Sequence, residues 1–240
     1  MDGKQQKLRI VKAECRDRLT SEDFDFIVST LGSDPIATQS ILTLLSDTTT
    51  RDQVLDDKSL FRAIIDSPHD LRISPHLYFY VLVRRALLAA DIDDRDLSDY
   101  VASMLAHFTL ASQVWPRSCG RLLDTTVDIL HAMQGRSGEE RFALHAYAGN
   151  ISLFMSGVFV QRIYNRNRRR AAPPVDYYER FGMSNFGAAG EHQLASCYDL
   201  SGIYGRLSRE FRDVRLALND MTERLTFCGQ EQIPRKYDLS

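Results

Sequence analysis

Apolar residues return along this chain at three- and four-residue steps, the spacing of one face of an α-helix, and almost nowhere in the strict alternation of a half-buried strand. The cleanest run is Tyr204, Leu207, Phe211, Val214, Leu218, Met221 and Leu225, a seam that lets helices lie side by side at a small crossing angle. A second stripe joins Leu97, Tyr100, Val101, Met104, Leu105 and Phe108. From Leu77 to Val83 every position is apolar or aromatic, which marks a helix with no wet face until Arg84 and Arg85.

The breaks between these runs read as helix caps. Ser21 with Glu22 and Asp23 opens a helix that Gly32 closes, and Asp34-Pro35 opens another that ends near Asp47. Short helices follow at 50–56 and 58–66, and Ser67-Pro68 stops the second. Ser74-Pro75, Asp93-Asp94, Pro116 and Asp176 mark further starts, and Gly135 ends the helix that Pro116 begins. The pattern predicts an all-α, multi-helix bundle of roughly nine helices. Its main members lie at 75–90, 95–112, 142–165 and 201–226, in a single domain over 1–228 with a loosely ordered tail at 229–240.

From Phe142 to Gln161 there is no formal charge, and five arginines follow between Arg162 and Arg170. A membrane span needs about 20 mostly apolar residues, but His145, Gly149, Asn150, Gly157 and two serines dilute this one. It reads as a core helix kinked near Gly149 or Gly157, with no membrane partner. Hydrophobic residues at 44% and charged ones at 26% are ordinary globular values, and the formal charge of −2 exerts no global pull on nucleic acid. Cys15, Cys119, Cys197 and Cys228 are far apart with no CxxC, and the first 18 residues lack the apolar core of a signal peptide. A cytoplasmic location is expected.

Motif chemistry is largely eliminated. No two of the six histidines lie three or four apart on one helix, so the simplest metal sites are absent and no metal or cofactor is expected. His69-Asp70 resembles the dipeptide of helical metal phosphohydrolases, but no histidine precedes it to complete that metal site. The run Asp91, Asp93, Asp94, Asp96, Asp99 lacks the register of magnesium-binding aspartate motifs and is accounted for by capping and first-turn charge. The glycines at 182, 187 and 190 have phosphate-loop spacing, but Ala188 and Ala189 stand where Lys and Ser/Thr are needed, so a close helix contact is the better use of this small-residue face.

The strongest local departure is at 162–180, where six arginines accompany Tyr164, Tyr177 and Tyr178. Arginine forks bind phosphate or carboxylate and tyrosine rings offer stacking surfaces. The bland account is that such arginines cap a helix end and complement its dipole. His192, three residues before Ala195 and four after Ala188, falls on the small-residue face and is a candidate pocket histidine. These features favour a non-enzymatic helical binding or regulatory module, with a protein partner or self-association through the 204–225 seam. A second reading is an anion-binding protein or enzyme with a pocket near Tyr177, Tyr178, Arg180 and His192. A third is nucleic-acid binding through Arg162, Arg166, Arg169 and their neighbours.

Overall fold

Short polar side chains followed by acid or proline set the helix starts, and in a computed structural model most fall where the sequence puts them. The structure describes residues 8–66, 72–114, 126–170 and 173–227. Among these there is no strand, and the helices are α1 (Ser21–Leu31), α2 (Pro35–Ser46), α3 (Thr48–Leu55), α4 (Lys58–Asp66), α5 (Pro75–Ala89), α6 (Arg95–Val114), α7 (Thr126–Met133), α8 (Gly138–Val158), α9 (Val160–Arg170), α10 (Val175–Gly190), α11 (Gln193–Cys197) and α12 (Ser201–Phe227). The start expected at Pro116, the His69-Asp70 turn and the tail at 229–240 lie outside the described residues. Among the described residues there are twelve helices against roughly nine expected, in part because the chain breaks at Phe159, separating α8 from α9, and again after Gly190, separating α10 from α11.

Caps explain the starts individually. Asp34 Oδ1 accepts from the N–H groups of Ile36 and Ala37, both at 2.9 Å, and Ser74 Oγ from Leu77 N–H at 3.1 Å. Asp94 Oδ1 accepts from Leu97 N–H at 2.9 Å. α1 begins at Ser21, but its cap is Thr20, which forms a reciprocal box with Asp23: Thr20 N–H donates to Asp23 Oδ2 at 2.8 Å and Asp23 N–H to Thr20 Oγ1 at 3.3 Å. The other oxygen of Asp23 accepts from Ser74 N–H at 2.7 Å, so one fully buried carboxylate ties the starts of α1 and α5 together. α10 starts at Val175 behind Pro174, and Asp176, expected as its cap, sits in the first turn instead.

The described residues cluster into two compact units: 13–66 and 72–109 with 220–227, and 8–12 with 110–114, 126–170 and 173–219. In the first, α1 packs on α2 and α4, α2 on α3, and α4 on α5. Leu77, Val81, Leu82, Val83 and Leu87 of α5 are buried, as its apolar run predicts. A network of arginines and aspartates holds the remainder. Arg16 donates to Asp99 at 2.8 Å, Asp52 at 2.9 Å and Asp96 at 2.6 Å, and Asp99 also accepts from Cys15 N–H at 2.6 Å. Arg84, buried on α5, grips Asp56 at 2.9 Å and Asp93 at 2.6 Å. The aspartate run at 91–99 therefore serves capping through Asp94 and arginine pairing through Asp93, Asp96 and Asp99.

The second unit is built on α8, which packs along the length of α10. The charge-free stretch is a core helix: Phe142, Ala146, Gly149, Leu153, Phe154 and Val158 are all buried. Its buried serines satisfy themselves, Ser152 Oγ donating to Ala148 O at 2.7 Å and Ser156 Oγ to Ser152 O at 2.6 Å. Among the described residues no single helix is long and apolar enough to cross a membrane, and the α8–α9 pair bends by 87° at its break. The break falls at Phe159, two residues beyond Gly157, and the carbonyls it exposes are met by α12. Asn219 Nδ2 donates to Ser156 O at 2.9 Å and to Gly157 O at 2.5 Å, and Asn219 Oδ1 accepts from Arg215, whose Nε also donates to Glu179 at 2.6 Å.

Missing side chains let the helices of this unit approach. A Cβ at Gly149 would lie 2.7 Å from the Phe186 ring, one at Gly157 2.9 Å from Leu218, and one at Gly182 would enter the Phe211 ring. Gly187 and Gly190 face Ser208 and Tyr204 of α12, which is the close contact expected of the small-residue face. The seam residues Tyr204, Leu207, Phe211, Val214, Leu218, Met221 and Leu225 are all buried inside the chain, despite a non-helical turn at Glu210. The seam residues pack within the chain.

Candidate functional site

The break at Phe159 decides how the arginine cluster is presented. On a continuous 142–165 helix the arginines would crowd a C-terminal end, where a cation is favourable. Because α9 starts anew at Val160, Arg162 lies in its first turn, at the positive end of the dipole. Dipole complementation therefore accounts for the arginines of the last turn and leaves Arg162 unexplained.

One side of α9 is anchored. Val160 and Ile163 are buried with Val175 of α10, and Met155 and Tyr178 pack against them. Helical geometry, at about 100° per residue, puts Arg162 and Arg166 on the opposite side from Val160, four residues apart. Arg166 and Arg168 are exposed and Arg162 half-buried; Tyr164, four residues after Val160, is 51% exposed on the other side of the helix. None of these three arginines makes an ion pair among the described residues. Arg169 belongs to the last turn, and its side chain lies outside the described residues. Like charges at i and i+4 cost about 0.2–0.5 kcal/mol per pair in an isolated helix, and α9 contains no acid to relieve them.

The tyrosines divide. Tyr178 is half-buried at the anchor, close enough to Arg166 that burial raises its hydroxyl above the ordinary value while the Arg166 charge pulls it down. Tyr177 stacks on Phe181 with ring centroids 6.0 Å apart, and its hydroxyl donates to Thr126 Oγ1 of α7 at 3.0 Å. Thr126 is a partner that no spacing in the sequence could reveal. Arg180 is exposed, and its Nε donates to the backbone oxygen of Asp176 at 3.3 Å.

His192 does not join them. α10 ends at Gly190, about 18 Å of helix beyond Tyr178 at ~1.5 Å per residue, and His192 caps α11 by accepting from Leu194 N–H on Nδ1 at 3.2 Å. Its ring lies 5.2 Å from that of Phe142. The pocket expected from Tyr177, Tyr178, Arg180 and His192 is therefore not assembled. What the structure brings together is Arg162 and Arg166 on the side of α9 away from Val160, with Tyr178 within electrostatic reach of Arg166, while Tyr164, four residues after Val160, lies on the Val160 side. Among the described residues no three His, Cys, Asp or Glu side chains are grouped as metal ligands. Compared with family models, curated proteins and solved structures, the chain matches none.

Proposed function

We propose that this chain is a non-enzymatic binding module whose partner is a nucleic acid, engaged through its phosphates by α9. The observation that carries the reading is the unneutralised arginine side of a helix whose other side is pinned by Val160 and Ile163. Arg162 and Arg166 sit one turn apart, a repeat of ~5–6 Å that suits successive phosphates. Phosphate contacts of this kind are read by charge and position and carry little sequence preference.

The test is fluorescence anisotropy with labelled single-stranded RNA and DNA at low ionic strength, on the full chain and on Arg162→Gln/Arg166→Gln/Arg169→Gln. The wild type binds and the triple variant loses at least tenfold in affinity. Absence of binding by the wild type at low salt, or equal binding by the variant, removes the reading. Arg166 is exposed and Arg162 half-buried, and circular dichroism verifies that the variant folds.

A further inference from the structure

A second site lies in the other unit and is independent of α9. α4, α5 and the last turns of α12 enclose a groove of about 220 Å³. Its floor is apolar, made by Phe61, Ile65, Leu82, Met221 and Leu225, and its rim carries four cations, Lys58, Arg62, Arg85 and Arg224. The one acid in the lining, Asp220, is engaged by Arg224 at 2.9 Å. Lys58, Arg62 and Arg85 make no ion pair among the described residues, in a chain that pairs Arg16, Arg51, Arg84 and Arg95 with aspartates.

The contrast between neighbours on α5 is informative. Arg84 points into the aspartate network and is buried, whereas Arg85 lines the groove, half-buried and unneutralised. Lys58 and Arg62 are one turn apart on α4, like charges at the spacing that repels. A partly desolvated cation beside an apolar floor is a poor arrangement for an empty surface. It becomes favourable when an anionic head meets the rim and a hydrocarbon body covers the floor. The volume falls below the ~300–1,000 Å³ of clefts that take drug-sized ligands, which selects a slim occupant.

We infer that this groove binds a single-chain amphiphilic carboxylate, its head held by Arg62, Arg85 and Lys58 and its chain laid along Phe61, Leu82 and Met221. Isothermal titration of the full-length protein with decanoate, below its micellar concentration, tests this directly. Saturable one-to-one binding is expected, strengthening about three- to fourfold per methylene from hexanoate upward until the groove is filled. Decylamine should not bind, decanol should bind at least tenfold more weakly, and Arg62→Gln/Arg85→Gln should lose at least fivefold. Exposed Arg62→Gln alone keeps the test available if the double variant unfolds. No saturable heat with decanoate, equal binding of decanol or decylamine, or unchanged affinity in the arginine variants would overturn the inference. Because the groove and α9 share no residue, decanoate binding and its loss in the groove variants are read independently of whether the α9 reading survives.

Discussion

At Asp56 two opposing effects meet on one carboxylate. Burial alone would raise its pKa, but hydrogen bonds from Arg84 and Arg95 outweigh that and hold it below the ordinary carboxylate value. A carboxylate depressed in the folded state stabilises above its unfolded pKa, about 3.9, and this contribution is lost as pH falls through the folded value. Asp56 is half-buried and Arg84 keeps Asp93 when it is removed, so Asp56→Ala should be destabilised by about 1–3 kcal/mol near neutrality. In urea denaturation the gap from wild type should stay level down to about pH 4 and narrow below it. Asp99 shifts the opposite way: its burial raises it and Arg16 offsets this only in part, so its own contribution declines as pH rises through the folded value. The thiol of Cys15, beside Asp99, is pushed up to about 12, chiefly by burial. Iodoacetamide on the native protein should therefore label exposed Cys197 and leave Cys15 untouched until denaturant is added, as peptide mass spectrometry can show. The sequence contains Arg16, Asp56 and Asp99 in plain view, but their partners lie tens of residues away, so nothing local marks them as a network.

Among the elements, α8, α10 and α12 depend on absent side chains. Glycine to alanine inside a helix ordinarily gains about 1 kcal/mol from propensity. At Gly182 the added methyl would enter the ring of Phe211, which is fully buried and cannot swing away, and would approach Ser152 Cβ at 3.1 Å. Overpacking costs about 1–3 kcal/mol, so Gly182→Ala should be destabilised on balance. Gly202, on α12, has nothing within 4 Å of its would-be Cβ. Gly202→Ala should therefore gain up to about 1 kcal/mol. Chemical denaturation of the two variants gives opposite signs if tertiary contact governs one site and propensity the other. The sequence shows a small-residue face, and its use in packing was legible; which ring fills each gap was not. The position of the α8 break was nearly legible from Gly157, but the carbonyls opened beside Phe159 find their partner in Asn219 of α12, which Arg215 holds in place.

For the molecule as a whole, charge is unevenly held. α9 carries five arginines and no acid, and subtracting them from the net −2 leaves −7 on the rest of the chain. The concentration of positive charge on α9 within a net-negative chain means that association of a polyanion through it should weaken steeply with salt. At roughly 0.7–0.9 per phosphate contact, Arg162→Gln/Arg166→Gln/Arg169→Gln should flatten the slope of log affinity against log salt by about 2 to 3. Equal slopes for variant and wild type would place the contacts elsewhere.

The order of hydrophobic and polar residues was enough to determine that the described chain is helical and where most helices begin, because periodicity and caps are properties of neighbours. It also identified the uncharged stretch at 142–161 as core, since burial leaves no place for an unpaired charge. Tertiary structure alone decided that α9 is a separate helix with Arg162 at its positive end, that His192 caps α11 away from the tyrosines, and that Arg62 and Arg85 share a groove with Met221. Each of these depends on which surfaces meet after folding, a matter of contacts between residues far apart in the chain, and local spacing carries no record of them.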